Sequence, residues 1–185
     1  MPSLFLHACC GLCAVYPLKR IFAEAFFKKI HLWYFNPNIH PPQEYQRRRD
    51  ALATVAWMLS KEKTSEVEFS VDLDAPYEPK EYFKVIEGQM ISPKRCQFCY
   101  RLRLRNTAEM ARARGYSHFS TTLLFSRQQK HDVICEEGFK AEKEFGVKFY
   151  YEDFRVGHKE ASKLAQELKI YRQKYCGCTF GASGL

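Results

Sequence analysis

The alternation of short apolar runs with amphipathic stretches is what most constrains this chain. Leu4 to His7 reads as a short buried strand, and residues 14–27 follow as a helix with Leu18, Ile21, Phe22 and Ala25 at helical spacing. Ile30 to Phe35 is a second strand, closed by Asn36-Pro37-Asn38. A helix from Pro41-Pro42 to about Lys61 carries Tyr45, Leu52, Val55, Ala56 and Leu59 on its buried side. The prolines suit its first turn, where a missing N–H costs nothing. Val67 to Val71 is a third strand, and Pro79 opens a helix to about Met90. Ser92 to Arg95 reads as a loop that delivers Cys96 to a long helix from Gln97 to Arg114. Ser117 to Leu124 is a fourth strand, and Ser126 with Gln129 makes a capping box for a helix from Arg127 to Phe145. Val147 to Tyr151 is a fifth strand, and a last helix runs from His158 to Leu168. This order predicts an α/β fold, a three-layer sandwich on a mostly parallel five-stranded sheet. No repeat or linker divides the 185 residues, so a single domain over 1–185 is expected, ending in a Cys-x-Cys tail from about residue 171. Ligands of such sheets sit at the carboxyl ends of the strands, near the point where strand order reverses.

At that place, after the first strand, stand Cys9-Cys10-x-x-Cys13. Vicinal cysteines resist a packing explanation, because neighbouring side chains of a strand face opposite ways. More sulfur follows in tight pairs, Cys96-x-x-Cys99 and Cys176-x-Cys178, with Cys135 alone among the eight cysteines. A C-x-x-C turn aims two thiolates at one metal and needs a second pair to complete four ligands, which Cys9 and Cys10 can provide. Zinc and an iron–sulfur cluster both remain open on spacing alone. Cys176-Gly177-Cys178 differs: one intervening glycine permits a strained, labile disulfide of the redox kind, or two further metal ligands. Cys135 lies mid-helix and reads as a buried, inert thiol. His7, among apolar residues, reads as a core histidine or one that supports ligands without being one.

No apolar run approaches the roughly 20 residues of a membrane span, and the first residues lack the basic and apolar regions of a signal peptide. A cytoplasmic protein is therefore expected, with no membrane partner. Reduced thiols in that compartment serve metal binding or redox catalysis rather than a disulfide framework. The net charge of +8 favours an anionic partner, most plausibly nucleic acid. Arg101, Arg105 and Arg112 fall on one helical face after Cys99, in a stretch that also holds Lys94, Arg95, Arg103 and Arg114; Arg47-Arg48-Arg49 is a second run. Either is a solvated face or a phosphate-binding surface. Tyr34, Phe35 and Tyr45 are candidates to stack on an unpaired base.

The chain resembles the cobalamin-independent epoxyqueuosine reductases, the QueH family. The resemblance rests on residues 7–13 (HACCGLC), 34–41 (YFNPNIHP), 95–104 (RCQFCYRLRL), 121–124 (TTLL), 153–155 (DFR) and 171–178 (YRQKYCGC). It implies a Rossmann-like fold of the adenine-nucleotide hydrolase type. It also implies reduction of epoxyqueuosine to queuosine at the wobble position of tRNA, the last step of queuosine synthesis. A [4Fe-4S] cluster on Cys9, Cys10, Cys96 and Cys99 is implied with it, and a redox-active pair at Cys176 and Cys178. Cys13 is then the spare sulfur, a candidate to hold one additional iron with a carboxylate such as Asp153. Asp153 is otherwise an acid for the leaving oxygen, or the partner of Arg155. The substrate partner is tRNA carrying epoxyqueuosine, and an electron donor is needed. Gly11-Leu12, Arg127-Gln128 and Gly181 depart from the family pattern without removing a cysteine. Two other readings stand beside this one. An ATP-dependent tRNA sulfur-transferase would need a phosphate loop where Ala8-Cys9-Cys10-Gly11 stands, and a zinc-stabilised RNA-binding module would do no chemistry.

Overall fold

β1 (Ser3–His7) is buried along its whole length, with Leu4, Phe5 and Leu6 at 0% exposure. Only the centre of a sheet covered on both faces has this pattern, and each such side chain contributes roughly 1.5–3 kcal/mol by leaving water. The structure, a computed structural model, describes residues 1–63, 66–89, 91 and 93–182, the last two by their backbone alone. β1 is flanked in parallel by β2 (Lys29–Trp33) and β4 (His118–Thr121); β3 (Glu68–Asp72) and β5 (Lys148–Phe149) close the edges. The order is β3-β2-β1-β4-β5, all parallel. The chain winds outward from β1 to β3, returns across the sheet, and winds outward again through β4. The reversal point is therefore the crevice between β1 and β4, at their carboxyl ends.

The helices are α1 (Gly11–Glu24), α2 (Pro42–Leu59), α3 (Pro79–Val85), α4 (Lys94–Ala113), α5 (His131–Phe145), α6 (His158–Glu167) and α7 (Thr179–Ala182). The layers follow: α1 packs on α2 and α6, and α4 on α5. The approach of α1 to α2 is so close that a Cβ on Gly11 would lie 2.6 Å from the Ala51 carbonyl oxygen.

Several boundaries differ from the sequence reading. α1 begins at Gly11 rather than residue 14, so Cys13 lies in its first turn. Cys96 is not delivered by a loop: α4 starts at Lys94, and both Cys96 and Cys99 are helical. α3 ends at Val85, because Tyr82 and Ile86 bury against Cys99 and Cys178 and residues 87–89 offer nothing apolar to continue. Met90 and Ser92, named as the helix end and loop start, lie outside the described residues, as does the tail after 182. β4 stops at Thr121, whose Oγ1 accepts from Leu123 N at 3.1 Å and starts a 3₁₀ turn over Thr122–Phe125. Ser126 makes no capping box. Its Oγ accepts from Gln128 N at 3.3 Å in a local turn, and α5 begins five residues later. Among the described residues no helix is long and apolar enough to cross a membrane.

Candidate metal centre and cysteine cleft

The chain leaves β1 and enters the reversal crevice at once. Ala8 N donates to Trp33 O at 2.8 Å, and Cys9 N crosses to Thr122 Oγ1 at 3.1 Å. Cys10 takes the cap position of α1, where its Sγ accepts from Cys13 N at 3.4 Å. A thiol thus fills the place of a serine or aspartate cap. The outcome is a buried triad: the Sγ atoms of Cys9, Cys10 and Cys13 all lie within 4.8 Å of one another. It is a soft donor set able to hold a metal ion. Hydrogen bonds from Cys10 and Cys13, helped by the Thr122 hydroxyl, hold the Cys9 thiol well below its ordinary pKa. Burial pushes Cys10 up, and hydrogen bonding within the triad pushes Cys13 up. Negative charge therefore gathers on Cys9, at a helix N-terminus whose dipole favours it. The same capping occupies the N–H that a phosphate loop would offer to a nucleotide.

His7 supports this end of β1. Its Nδ1 meets Thr121 Oγ1 at 2.8 Å and its Nε2 meets Phe35 O at 3.0 Å, and burial pushes its pKa down to about 4. A neutral ring fixed at both nitrogens holds neighbouring strands together and has no nitrogen left for a metal. This agrees with the supporting role expected of it.

Cys96 and Cys99 sit one turn apart near the start of α4, on one face. They line a small cavity of about 20 Å³ together with Cys176, Cys178, Arg95 and Arg103. The buried Arg103 donates from Nη2 to Cys99 Sγ at 3.2 Å, a cation set against a thiol pushed up by burial. Cys176 also lines a second, larger cleft of about 810 Å³ with Cys9, Cys13, Arg48 and Gln173. Seven of the eight cysteines are thus divided between the triad and the C-x-C and C-x-x-C pairs, and Cys176 borders both spaces.

What brings the C-x-C segment here is Arg48. The guanidinium, 2% exposed, donates to Tyr175 O at 2.9 Å and Cys176 O at 3.2 Å, while its Nε pairs with Glu44 at 2.7 Å. Glu44 accepts in turn from the Tyr171 hydroxyl at 2.6 Å. His40 N donates to Gly177 O at 2.7 Å, and the Tyr175 hydroxyl donates to His40 O. Gly177 has φ +108, and a Cβ there would lie 2.8 Å from Ile39 Cγ1 and 3.0 Å from Arg48 Nη1. Only glycine fits a backbone held this way. The two sulfurs it separates stand 3.4 Å apart, in hydrogen-bonding contact and not joined as a disulfide.

Several expected roles are corrected. Tyr34, Phe35 and Tyr45 are buried, with the Tyr34 hydroxyl bonded to Tyr45 O, so none offers a face to a base. Arg101 and Arg105 face α5, paired with Glu137 and Glu144, rather than a polyanion. Cys135 is half-buried against the core rather than fully enclosed. Asp153 spends both oxygens on Arg155, at 2.8 and 2.6 Å, and these bonds hold its carboxyl down to about 2. It is ionised at neutral pH, which removes it as a proton donor. It also stands outside the group of metal-ligating atoms formed by the triad. Arg48 and Arg103 stand inside charge runs of the sequence, and Gln173 and Thr122 inside the stretches 171–178 and 121–124, so composition and spacing single out none of the four.

The family described as "Epoxyqueuosine reductase QueH" matches residues 4–184. A protein of that description from Thermotoga maritima is 37% identical over 186 residues, covering 97% of this chain and 90% of that protein. One from Dehalococcoides mccartyi is 35% identical over 180 residues, covering 97% and 92%. One from Streptococcus pyogenes is 31% identical over 186 residues, covering 98% and 71%.

Proposed function

The chain belongs to the QueH family of epoxyqueuosine reductases, and from that premise we infer that it is an oxidoreductase reducing epoxyqueuosine to queuosine in tRNA. The conversion takes two electrons and two protons, and the epoxide oxygen leaves as water. Oxidation of a dithiol to a disulfide releases two electrons and two protons, so the Cys176/Cys178 pair balances the reaction in one step. The observation that carries this reading is the placement of Cys176, which borders the cleft holding Cys9 and Cys13 and the cavity holding Cys96 and Cys99.

A [4Fe-4S] cluster on Cys9, Cys10, Cys96 and Cys99 is part of the proposal. Three buried thiols and the half-buried Cys96, the lowered pKa of Cys9 and the Arg103 cation beside Cys99 suit an anionic sulfur-rich group. Such a cluster supplies one-electron transfer and iron as a Lewis acid. Cys13 is the sulfur left over, free to hold one additional iron. Around this centre the chain's own residues do four things. Thr122 and the α1 N-terminus stabilise charge on Cys9. Arg103 offsets charge at Cys99. Arg48 fixes the C-x-C backbone, and the reduced pair gives up its protons as it oxidises. The site would serve one domain spanning 1–185, its Cys-x-Cys tail from about 171 packing near the metal site, in the cytoplasm with a separate electron donor.

Anaerobic purification, with iron, acid-labile sulfide and the visible spectrum measured together, tests the cluster. A colourless protein with one zinc and no sulfide refutes it. Turnover of Cys178→Ser with a chemical reductant tests the pair, and full activity removes the disulfide step.

A further inference from the structure

The cleft has a wall that the sulfur chemistry does not use. It is formed by Phe125 and His158, with Arg127, Arg172, Gln173 and Lys174 around them. Phe125 is buried, and the half-buried imidazole of His158 stacks on it with centroids 5.6 Å apart and planes 12° from parallel. Among the described residues no second ring meets the imidazole. Burial, with Arg127 and Arg172 nearby, pushes its pKa down, so it presents a neutral π face at pH 7.

The polar groups point the same way. Gln173 donates from Nε2 to Cys13 Sγ at 3.4 Å, while its Oε1 is buried without a partner among the described residues. A buried acceptor in that state is costly unless a ligand supplies the donor. Arg127, Arg172 and Lys174 are exposed and make no ion pair among the described residues, unlike Arg101, Arg105, Arg114 and Arg155. A merely solvated surface would mix the two signs of charge. The lining of this cleft includes four cations, with Arg48, and no carboxylate, in a chain with 21 acidic residues. Its volume of about 810 Å³ lies in the range of pockets that enclose one ligand.

We propose that this wall is a nucleotide subsite for single-stranded RNA. A base or its ring substituent stacks on His158 over Phe125, a donor on the nucleoside meets Gln173 Oε1, and Arg127, Arg172 and Lys174 hold the flanking phosphates. The proposal rests on the tRNA reading above and adds to it the residues that hold the nucleotide beside Cys9, Cys13 and Cys176. Stacking and phosphate contact of this kind are how proteins take an unpaired nucleotide from a loop.

The test uses anaerobically prepared holoenzyme and a fluorescent anticodon stem–loop carrying epoxyqueuosine, with Kd followed by anisotropy across a salt series. Arg127→Ala, Arg172→Ala and Lys174→Ala should each lower the slope of log K against log salt by about 0.7, the value for one phosphate of a single strand. Lys163→Ala, a side chain 81% exposed on α6, is the control for net charge and should leave the slope unchanged. His158→Ala should weaken binding roughly fivefold or more, and His158→Phe should restore it. Unchanged slopes in the three variants, an equal fall in the control, or full affinity in His158→Ala would overturn the subsite. Wild-type enzyme that neither binds nor reduces the stem–loop would instead overturn the reductase reading on which it rests.

Discussion

Arg48→Met is the perturbation that most directly tests how the site is assembled. The variant keeps the apolar stem of the side chain and removes the guanidinium. It leaves Glu44, its side chain 7% exposed, with the Tyr171 hydroxyl as its donor, and it leaves the carbonyls of Tyr175 and Cys176 without their partner. Breaking a buried ion pair from one side costs about 3–5 kcal/mol, because a charge is stranded in the interior. That is a large share of the roughly 5–15 kcal/mol that holds a domain folded. The hydrogen bonds to the two carbonyls are charge-assisted, worth about 1.5–3 kcal/mol each, and they anchor the loop rather than the sheet. A double variant, Glu44→Gln with Arg48→Met, separates the two costs. Glutamine still accepts from Tyr171 and carries no charge, so the double variant should regain roughly 1–3 kcal/mol over the single one. It should not regain the anchored loop. Urea unfolding of anaerobic protein measures the first quantity. Alkylation rates of Cys176 and Cys178, read by peptide mass, measure the second and should rise in both variants. A single variant within about 0.5 kcal/mol of the wild type, the range of an inert surface change, would refute the ion-pair argument. So would a double variant no more stable than the single one, and unchanged alkylation would refute the anchoring.

Gly177→Ala should destabilise by about 1–3 kcal/mol, because φ is +108 and the added Cβ meets Ile39 and Arg48; urea unfolding with thiol alkylation checks it, and a neutral result would refute the clamped-loop geometry. Glu137 tests the α4–α5 contact through pH. Burial pushes its carboxyl up, but hydrogen bonds from Arg101, Gln97 and Lys140 outweigh this and hold it below its ordinary value. The folded state then binds fewer protons than the unfolded chain, so the contribution is complete above about pH 4.3 and is lost as pH falls through the folded value. Glu137→Gln should therefore be less stable at pH 7, with the gap to wild type closing in acid, and parallel curves would contradict the sign. Cys10→Ser keeps a capping oxygen for Cys13 N while deleting one sulfur of the triad. Metal content per chain should fall while the circular dichroism spectrum is retained, and undiminished metal would remove Cys10 from the ligand set.

The parallel sheet was legible because strand and helix patterns alternate along the whole chain, and Cys9-Cys10 could be placed at a ligand-binding edge because they stand where the first strand ends. Boundaries were missed where a side chain starts a turn that hydrophobicity does not record, as Thr121 does for residues 122–125. The arginines were missed for a different reason. A charge run reads as solvated, yet Tyr45, Arg48, Leu52, Val55 and Leu59 follow helical spacing, and so do Tyr100, Arg103, Leu104, Thr107 and Ala108. Each arginine interrupts an apolar stripe, and each has a possible partner four residues before it, Glu44 or Cys99. An arginine in that phase has to be buried, and a buried guanidinium has to be satisfied. Helical phase therefore separates Arg48 and Arg103 from Arg47 and Arg101 without a structure. It does not reveal the acceptors that complete Arg48, which lie 127 and 128 residues away in a segment with no periodicity. The consequence is a division of labour among the positive charges. Arg48 and Arg103 hold the cysteines from inside, and Arg127, Arg172 and Lys174, without an ion pair among the described residues, are the charges the proposed subsite assigns to an anionic ligand.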